Sequence, residues 1–143
     1  MYDTIIIGAG IAGLTAAIYA SRKRMEFELI SSDFGGQFLV SGEVLNYPGI
    51  VETTGVGFSP IMEKQMKFND VKIKEETITK IEKIGDNLKV ITDKAEYETK
   101  TVIIATGARA RKLNVPGEEK FVKKGALSNL PLHFLKYGFT TAY

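Results

Sequence analysis

The run Gly8-Ala9-Gly10-Ile11-Ala12-Gly13 constrains this chain more tightly than any other stretch, because of what stands on either side of it. Ahead of it, Tyr2-Asp3-Thr4 leads into Ile5-Ile6-Ile7, β-branched throughout, which suits a central parallel strand covered on both faces. Behind it the pattern turns helical. Ile11, Leu14, Thr15 and Ile18 recur at three- and four-residue spacing, and Ala12, Ala16 and Ala20 form a small-residue stripe that lets the helix lie close to a sheet. Arg22-Lys23-Arg24 then falls where cations favour the negative end of a helix dipole.

Strand, glycine turn and helix start in direct succession give each glycine a physical role in holding a dinucleotide. Gly8 allows the tight turn out of the strand, Gly10 lets a diphosphate approach the backbone, and Gly13 lets helix and strand pack with no Cβ between them. The helix N-terminus, with Ile11 and Ala12 in its first turn, offers unpaired N–H groups to phosphate oxygens. A plain βα turn without a ligand is the bland alternative; the strand before and the helix after favour the dinucleotide site.

At 143 residues the chain is long enough for one domain with a real core. A net charge of +2, with no dense basic tract, gives no reason to expect a nucleic-acid partner. No apolar run reaches the ~18 to 20 residues of a membrane span, so no membrane partner is expected. The N-terminus reads as a strand and glycine turn rather than a signal peptide, and a cytoplasmic location is expected. The absence of cysteine excludes a thiolate metal site or dithiol centre carried by these residues, and the single histidine, His133, builds no metal site alone.

Phe27-Glu28-Leu29-Ile30-Ser31 reads as the second strand of a βαβ unit. An acidic residue about 20 positions past the last glycine often takes ribose hydroxyls, and Asp33 stands at that spacing, a residue or two beyond the expected strand end. Ser31 or Ser32 is the neutral alternative, and Asp33 before Gly35-Gly36 serves equally well as a turn residue. Residues 34–57 are rich in turn formers but carry Phe34, Phe38, Leu39, Val44, Leu45 and Tyr47, so they read as an ordered loop covering part of a ligand. A helix is expected over 58–69, with Ser59-Pro60 as cap and first-turn residue. Its methionines and aromatics are a core stripe. Val71 to Lys74 alternates as a short strand, and 78–84, 88–92 and 96–99 read as an antiparallel meander with a solvated Lys/Glu face. Thr101 to Ala108 is expected as another buried β-branched strand, running into Thr106-Gly107 where backbone meets ligand closely. Val115-Pro116-Gly117 reads as an exit from the domain.

The ordered set GAGIAGLTAAIYASR, GGQ, LNYPG and VIIATGARARKLNVPGEEKF resembles the FAD-binding half of the thioredoxin reductase family, within the pyridine-nucleotide disulfide oxidoreductases. The resemblance covers Met1 to about Gly125. It implies an α/β, Rossmann-like FAD-binding fold with a parallel sheet and an antiparallel β-meander. It also implies that Gly8, Gly10 and Gly13 hold the FAD diphosphate and that Ser31 and Ser32 lie by the adenosine ribose. By the same likeness Gly35, Gly36 and Gln37 contact the cofactor, and Asn46 sits against the flavin. Thr77 and Ile78 place backbone beside adenine, and Ala105, Thr106 and Gly107 close over the cofactor. NAD(P) is not expected on this chain, because the GGQ and NYPG loops have no role in a plain nicotinamide domain.

The family continues into an NADPH domain bearing a CxxC disulfide and returns through a Gly-Asp segment; neither is found in these 143 residues. The expected organisation is therefore an FAD-binding part over 1–125, incomplete relative to the family, and an apolar tail over 126–143. Leu127, Leu130, Leu132, Phe134, Leu135, Tyr137, Phe139 and Tyr143 make that tail a surface to be covered. It either packs on the exposed sheet, forms a homo-oligomer or partner-subunit interface, or is the end of a truncated frame. The expected function is the FAD-binding domain of a thioredoxin-reductase-like flavin oxidoreductase, unable to complete a disulfide reductase cycle alone. A non-enzymatic nucleotide-binding or interaction module with an empty site is the alternative.

Overall fold

The structure, a computed structural model, describes residues 1–108. The chain divides into two compact units, Met1–Gly107 and Ala108–Tyr143, and the elements below belong to the first. The apolar tail, His133 and the Val115-Pro116-Gly117 exit lie outside the described residues.

Strand β1, Tyr2–Ala9, gives way through Gly10 to helix α1, Ile11–Arg22, which returns to β2, Phe27–Phe34. The short helix α2, Gly36–Leu39, the strands β3, Glu43–Val44, and β4, Thr53–Thr54, and the helix α3, Gly55–Phe68, follow. Strands β5, Ile73–Glu75, β6, Ile78–Ile84, β7, Asn87–Thr92, and β8, Glu96–Ile104, complete the unit. Six strands form one sheet in the order β5-β2-β1-β8-β7-β6; β1, β2 and β5 run parallel, and β8 pairs parallel with β1 but antiparallel with β7. The α/β class, parallel sheet and antiparallel meander expected from the sequence are all present. No helix among the described residues is long and apolar enough to cross a membrane.

The isoleucine triplet explains how the layers assemble. Alternation along a strand sends Ile6 to one face and Ile5 and Ile7 to the other. Ile6 is completely buried with Leu14 and Ala17 of α1, Leu29 of β2, and Phe58, Met62 and Met66 of α3. Ile5 and Ile7 bury with Ile30 and Val90, and Tyr2, Ile78, Tyr97 and Val102 pack around them. Helices therefore cover one face of the central strand and the meander covers the other, which is why a β-branched run with no polar alternation is stable there.

Three expectations need correction. Residues 96–99 and 101–104 are one strand: β8 pairs its first half with β7 and its second half with β1, and the fully buried Thr99 sits opposite both Leu88 and Tyr2. The expected burial of its end is not found, because beyond Thr99 β8 has a partner on the β1 side alone among the described residues. Ile103 and Ile104 are 41% and 69% exposed. Helix α3 starts at Gly55 rather than Phe58, capped by Thr54 Oγ1, which accepts from Gly57 N–H at 3.0 Å. Pro60 thus lies within it. The two glycines of its first turn are poor helix formers, so propensity hid that turn.

Residues 34–57, expected as a loop, instead carry the end of β2, α2, β3, β4 and the first turn of α3, and a wedge of rings holds them together. Phe38, Tyr47 and Phe58 meet with centroid separations of 5.1 Å for Phe38–Phe58 and 4.8 Å for Tyr47–Phe58. The meander is fastened differently, by polar side chains. Lys74 bridges to Glu28 at 3.0 Å and lies 4.7 Å from the Tyr97 ring centroid, while Tyr97 OH donates to both Glu76 oxygens at 2.8 and 2.9 Å. The hydroxyl of Thr92 also donates to Glu76, at 2.7 Å.

These bonds hold the Glu76 carboxyl below its ordinary value of 4.5, with the Thr92 hydroxyl the largest cause. A carboxylate favoured in the folded state contributes stability that is present above its unfolded pKa and is lost as pH falls through the lower folded one. Replacing Glu76 by Gln is expected to lower the melting temperature at pH 7 and to flatten its decline as the pH falls below the ordinary carboxylate range. Thermal melts of both proteins over that fall in pH check this.

Candidate functional site

Parallel strands end together, so the carboxyl edge of the sheet collects the turns after β1, β2, β5 and β8, the usual place for a ligand in an open α/β sheet. Its centre is backbone against backbone. Gly8 has φ of 102°, and a Cβ there would stand 2.4 Å from Ala105 O. At Gly13 a Cβ would stand 1.7 Å from Gly8 O, which no side chain can tolerate. Ala105 N–H donates to Ile7 O at 2.8 Å, which holds the exit of β8 beside this crossing.

Gly10 is the opposite case. Among the described residues nothing lies within 4 Å of where its Cβ would be, and Gly36 approaches its Cα from the other side at 3.7 Å from its own Cβ position. The helix α1 begins here with no side-chain cap and no acidic residue in its first turn, and its first helical bond runs from Leu14 N–H to Gly10 O at 3.0 Å. The N–H groups of Ile11, Ala12 and Gly13 precede that bond and face outward from the helix end. Open space, unpaired donors and the positive end of a twelve-residue helix fit a diphosphate.

The second turn is shaped by an irregularity. Ile7 pairs with Ile30 and Ala9 with Phe34, so β2 advances four residues while β1 advances two, and Ser31, Ser32 and Asp33 bow out of register. Asp33 therefore lies inside β2 rather than beyond its end. Ser31 is buried and its Oγ accepts from Asp33 N–H at 3.4 Å, while Ser32 is exposed. Gly35 N–H closes the bulge on Ala9 O at 2.7 Å, which brings Gly35 and Gly36 beside the glycine turn.

The remaining predicted residues fall at the ends of this edge. Ala105, Thr106 and Gly107 follow β8 next to Gly8. Thr77 lies beyond β5, and Ile78 opens β6 opposite Thr92. Gln37 is exposed on α2, and Asn46 is exposed next to half-buried Tyr47 of the ring wedge, with no hydrogen bond among the described residues. Sequence reasoning did not single out Thr92, which read as the end of a meander strand, or Asp93-Lys94, which read only as a turn. Asp93 Oδ1 accepts from Thr77 N–H at 2.8 Å, and Asp93 N–H donates to Thr77 O at 3.0 Å.

A β1–turn–α1 crossing with an uncapped helix end at the carboxyl edge of a parallel sheet defines a Rossmann-type dinucleotide-binding fold. The chain belongs to the pyridine nucleotide-disulphide oxidoreductase family, whose model matches residues 2–129. It is 43% identical over 129 residues to a thioredoxin reductase of Peptoclostridium acidaminophilum, covering 87% of this chain and 40% of that protein. It is 40% identical over 126 residues to a Staphylococcus aureus alkyl hydroperoxide reductase subunit, covering 87% of this chain and 25% of that one. The crystal structure of Lactococcus lactis thioredoxin reductase superposes with a TM-score of 0.77 at 41% identity, over 86% of this chain and 41% of that one. This chain thus spans two fifths or less of the length of these curated relatives.

The Gly8–Gly13 contact makes a prediction that separates packing from binding. Gly13→Ala is expected to cost about 3 kcal/mol, since the neighbour that must move is backbone rather than a flexible side chain. Denaturant unfolding of the variant measures it.

Proposed function

We propose that this chain binds FAD and is the FAD-binding part of a thioredoxin-reductase-like flavin oxidoreductase. The observation that carries the reading is the contrast between Gly13, closed against Gly8 O, and Gly10, open to a ligand at the mouth of the same helix. Gly10 and the first N–H groups of α1 receive the diphosphate, and the absence of an acidic residue in that turn leaves the positive field unopposed. Ser31 and Ser32, in the bowed stretch of β2, lie along the adenosine ribose, and neutral hydroxyls there avoid setting a carboxylate beside the phosphates. Gly35, Gly36 and Gln37 line the diphosphate from the α2 side. Asn46 meets the flavin, Thr77 and Ile78 flank the adenine, and Ala105, Thr106 and Gly107 close the β8 side.

When bound, FAD supplies hydride and electron transfer, and the protein supplies position and a protected environment. The thioredoxin reductase relatives and the family model support this assignment. The electron acceptor of a complete protein is proposed to be a disulfide, in keeping with the family's description.

Gly10 provides the test. At φ of −75° and with open space around it, Gly10→Ala is expected to cost at most about 1 kcal/mol of stability, the difference between Gly and Ala at an N-cap. The added methyl group occupies the place of the diphosphate, so FAD affinity is expected to fall by at least about 10-fold. Flavin absorbance and thermal shift with FAD, NAD and NADP side by side measure both. A colourless protein that neither takes up FAD nor is stabilised by it would overturn the reading in favour of an empty-site module.

A further inference from the structure

We propose that the β7–β8 turn is a clasp that positions the adenosine end of the cofactor site, with Asp93 as its principal residue; this rests on the dinucleotide reading above. The strand order β5-β2-β1 places the Glu75–Thr77 link on the far side of β2 from the glycine turn. A dinucleotide with its diphosphate at Gly10 and its ribose by Ser31 therefore reaches this link with its distal base. Glu75 pairs with Ser31, and Glu76 N–H donates to Ser31 O at 3.3 Å, so the link is the next wall of the site.

Glu75 ends β5, Glu76 and Thr77 belong to no helix or strand, and the turn grips all three. Lys94 Nζ donates to Glu75 O at 2.5 Å and Thr92 Oγ1 to Glu76 Oε2 at 2.7 Å, and Asp93 takes both backbone groups of Thr77. The turn does not need Asp93 for its own closure. Thr92 Oγ1 already accepts from Lys94 N–H at 3.1 Å and Ala95 N–H at 2.9 Å, so the Asp93 carboxylate is spared for a segment sixteen residues away. With its backbone groups engaged, Thr77 presents an exposed hydroxyl that makes no hydrogen bond among the described residues and is suited to meet a base as donor or acceptor. Without the clasp, binding has to order the link at the same moment, and affinity falls by the entropy of doing so.

The test measures ADP and FAD binding to the full chain by calorimetry for wild type, Asp93→Ala and Asp93→Asn, with circular dichroism to confirm folding. Asp93→Ala is expected to weaken both ligands by roughly 5- to 10-fold. Asp93→Asn, whose amide oxygen still accepts from Thr77 N–H, is expected to stay within about 2-fold of wild type. A folded Asp93→Ala that binds ADP as tightly as wild type overturns the proposal, and so does an Asn variant as weak as the Ala one. Where Asp93→Ala does not fold, Lys94→Met, an exposed change that removes the Glu75 bond alone, is expected to weaken ADP about 2- to 3-fold, and unchanged affinity there overturns the proposal. Wild type that binds neither ligand brings down the cofactor reading and the clasp together; wild type that binds both, with an insensitive Asp93→Ala, brings down the clasp alone.

Discussion

The contact on which the rest of the unit depends is the crossing of α1 over the end of β1, where a Cβ on Gly13 would stand 1.7 Å from Gly8 O. Bringing the helix this close lays Gly13, Ala17 and Ala20 on the sheet, and not the expected Ala12-Ala16-Ala20 stripe, of which Ala12 is exposed, so that Leu14 and Ala17 bury against Ile6 and Leu29. It also aims the helix axis at the carboxyl edge, so the unpaired N–H groups point toward the space over Gly10 rather than into the core. Packing and the placement of the open helix end therefore come from one arrangement. A bulkier residue at Gly13 would shift the helix and its N-terminal N–H groups together.

A second constraint acts through β8. The strand enters the sheet from the meander and ends beside the glycine turn, and Thr99 is the residue at which its partner changes from β7 to β1. Thr99 Oγ1 donates to Thr101 O at 2.9 Å, and its backbone joins both ladders, so a small β-branched polar residue suits a position with no exposed surface. Because β8 is continuous, the meander and the Ala105 contact with Gly8 are two ends of one rigid element. The placement of Ala105 over the glycine turn is thus tied to the register of the meander.

Much of this was legible in the sequence where one residue type has one physical reason to be present. Ile5-Ile6-Ile7 between turn residues allows little but a doubly covered strand, and three glycines at fixed offsets allow little but a close βα crossing. The misreadings share a cause, which is that local pattern does not report partners. Lys100 falls between the two strands expected over 96–99 and from Thr101, yet it faces solvent and pairs with Asp3 at 2.6 Å, so the ladder passes through it. The bowed stretch of β2 made Asp33 look like a turn residue because its irregularity depends on the register with β1, which no single strand reveals. The turn at Asp93-Lys94 looked like a common solvated turn because its partners lie sixteen to nineteen residues earlier.

The two faces of the sheet are fastened by different chemistry, and the difference bears on the site. The helical face is held by apolar burial, which is non-directional and tolerates small slides. The meander face adds the chain Glu28–Lys74–Tyr97–Glu76–Thr92, in which each hydrogen bond or ion pair fixes direction as well as distance. Lys74 is held above its ordinary value chiefly by Glu28, and burial raises the Tyr97 hydroxyl, so the lysine stays charged and the tyrosine stays a donor across the neutral range. Burial alone would leave the end of β5 free to shift along the meander. The polar chain removes that freedom, and it does so directly before Thr77, at the link from β5 into β6.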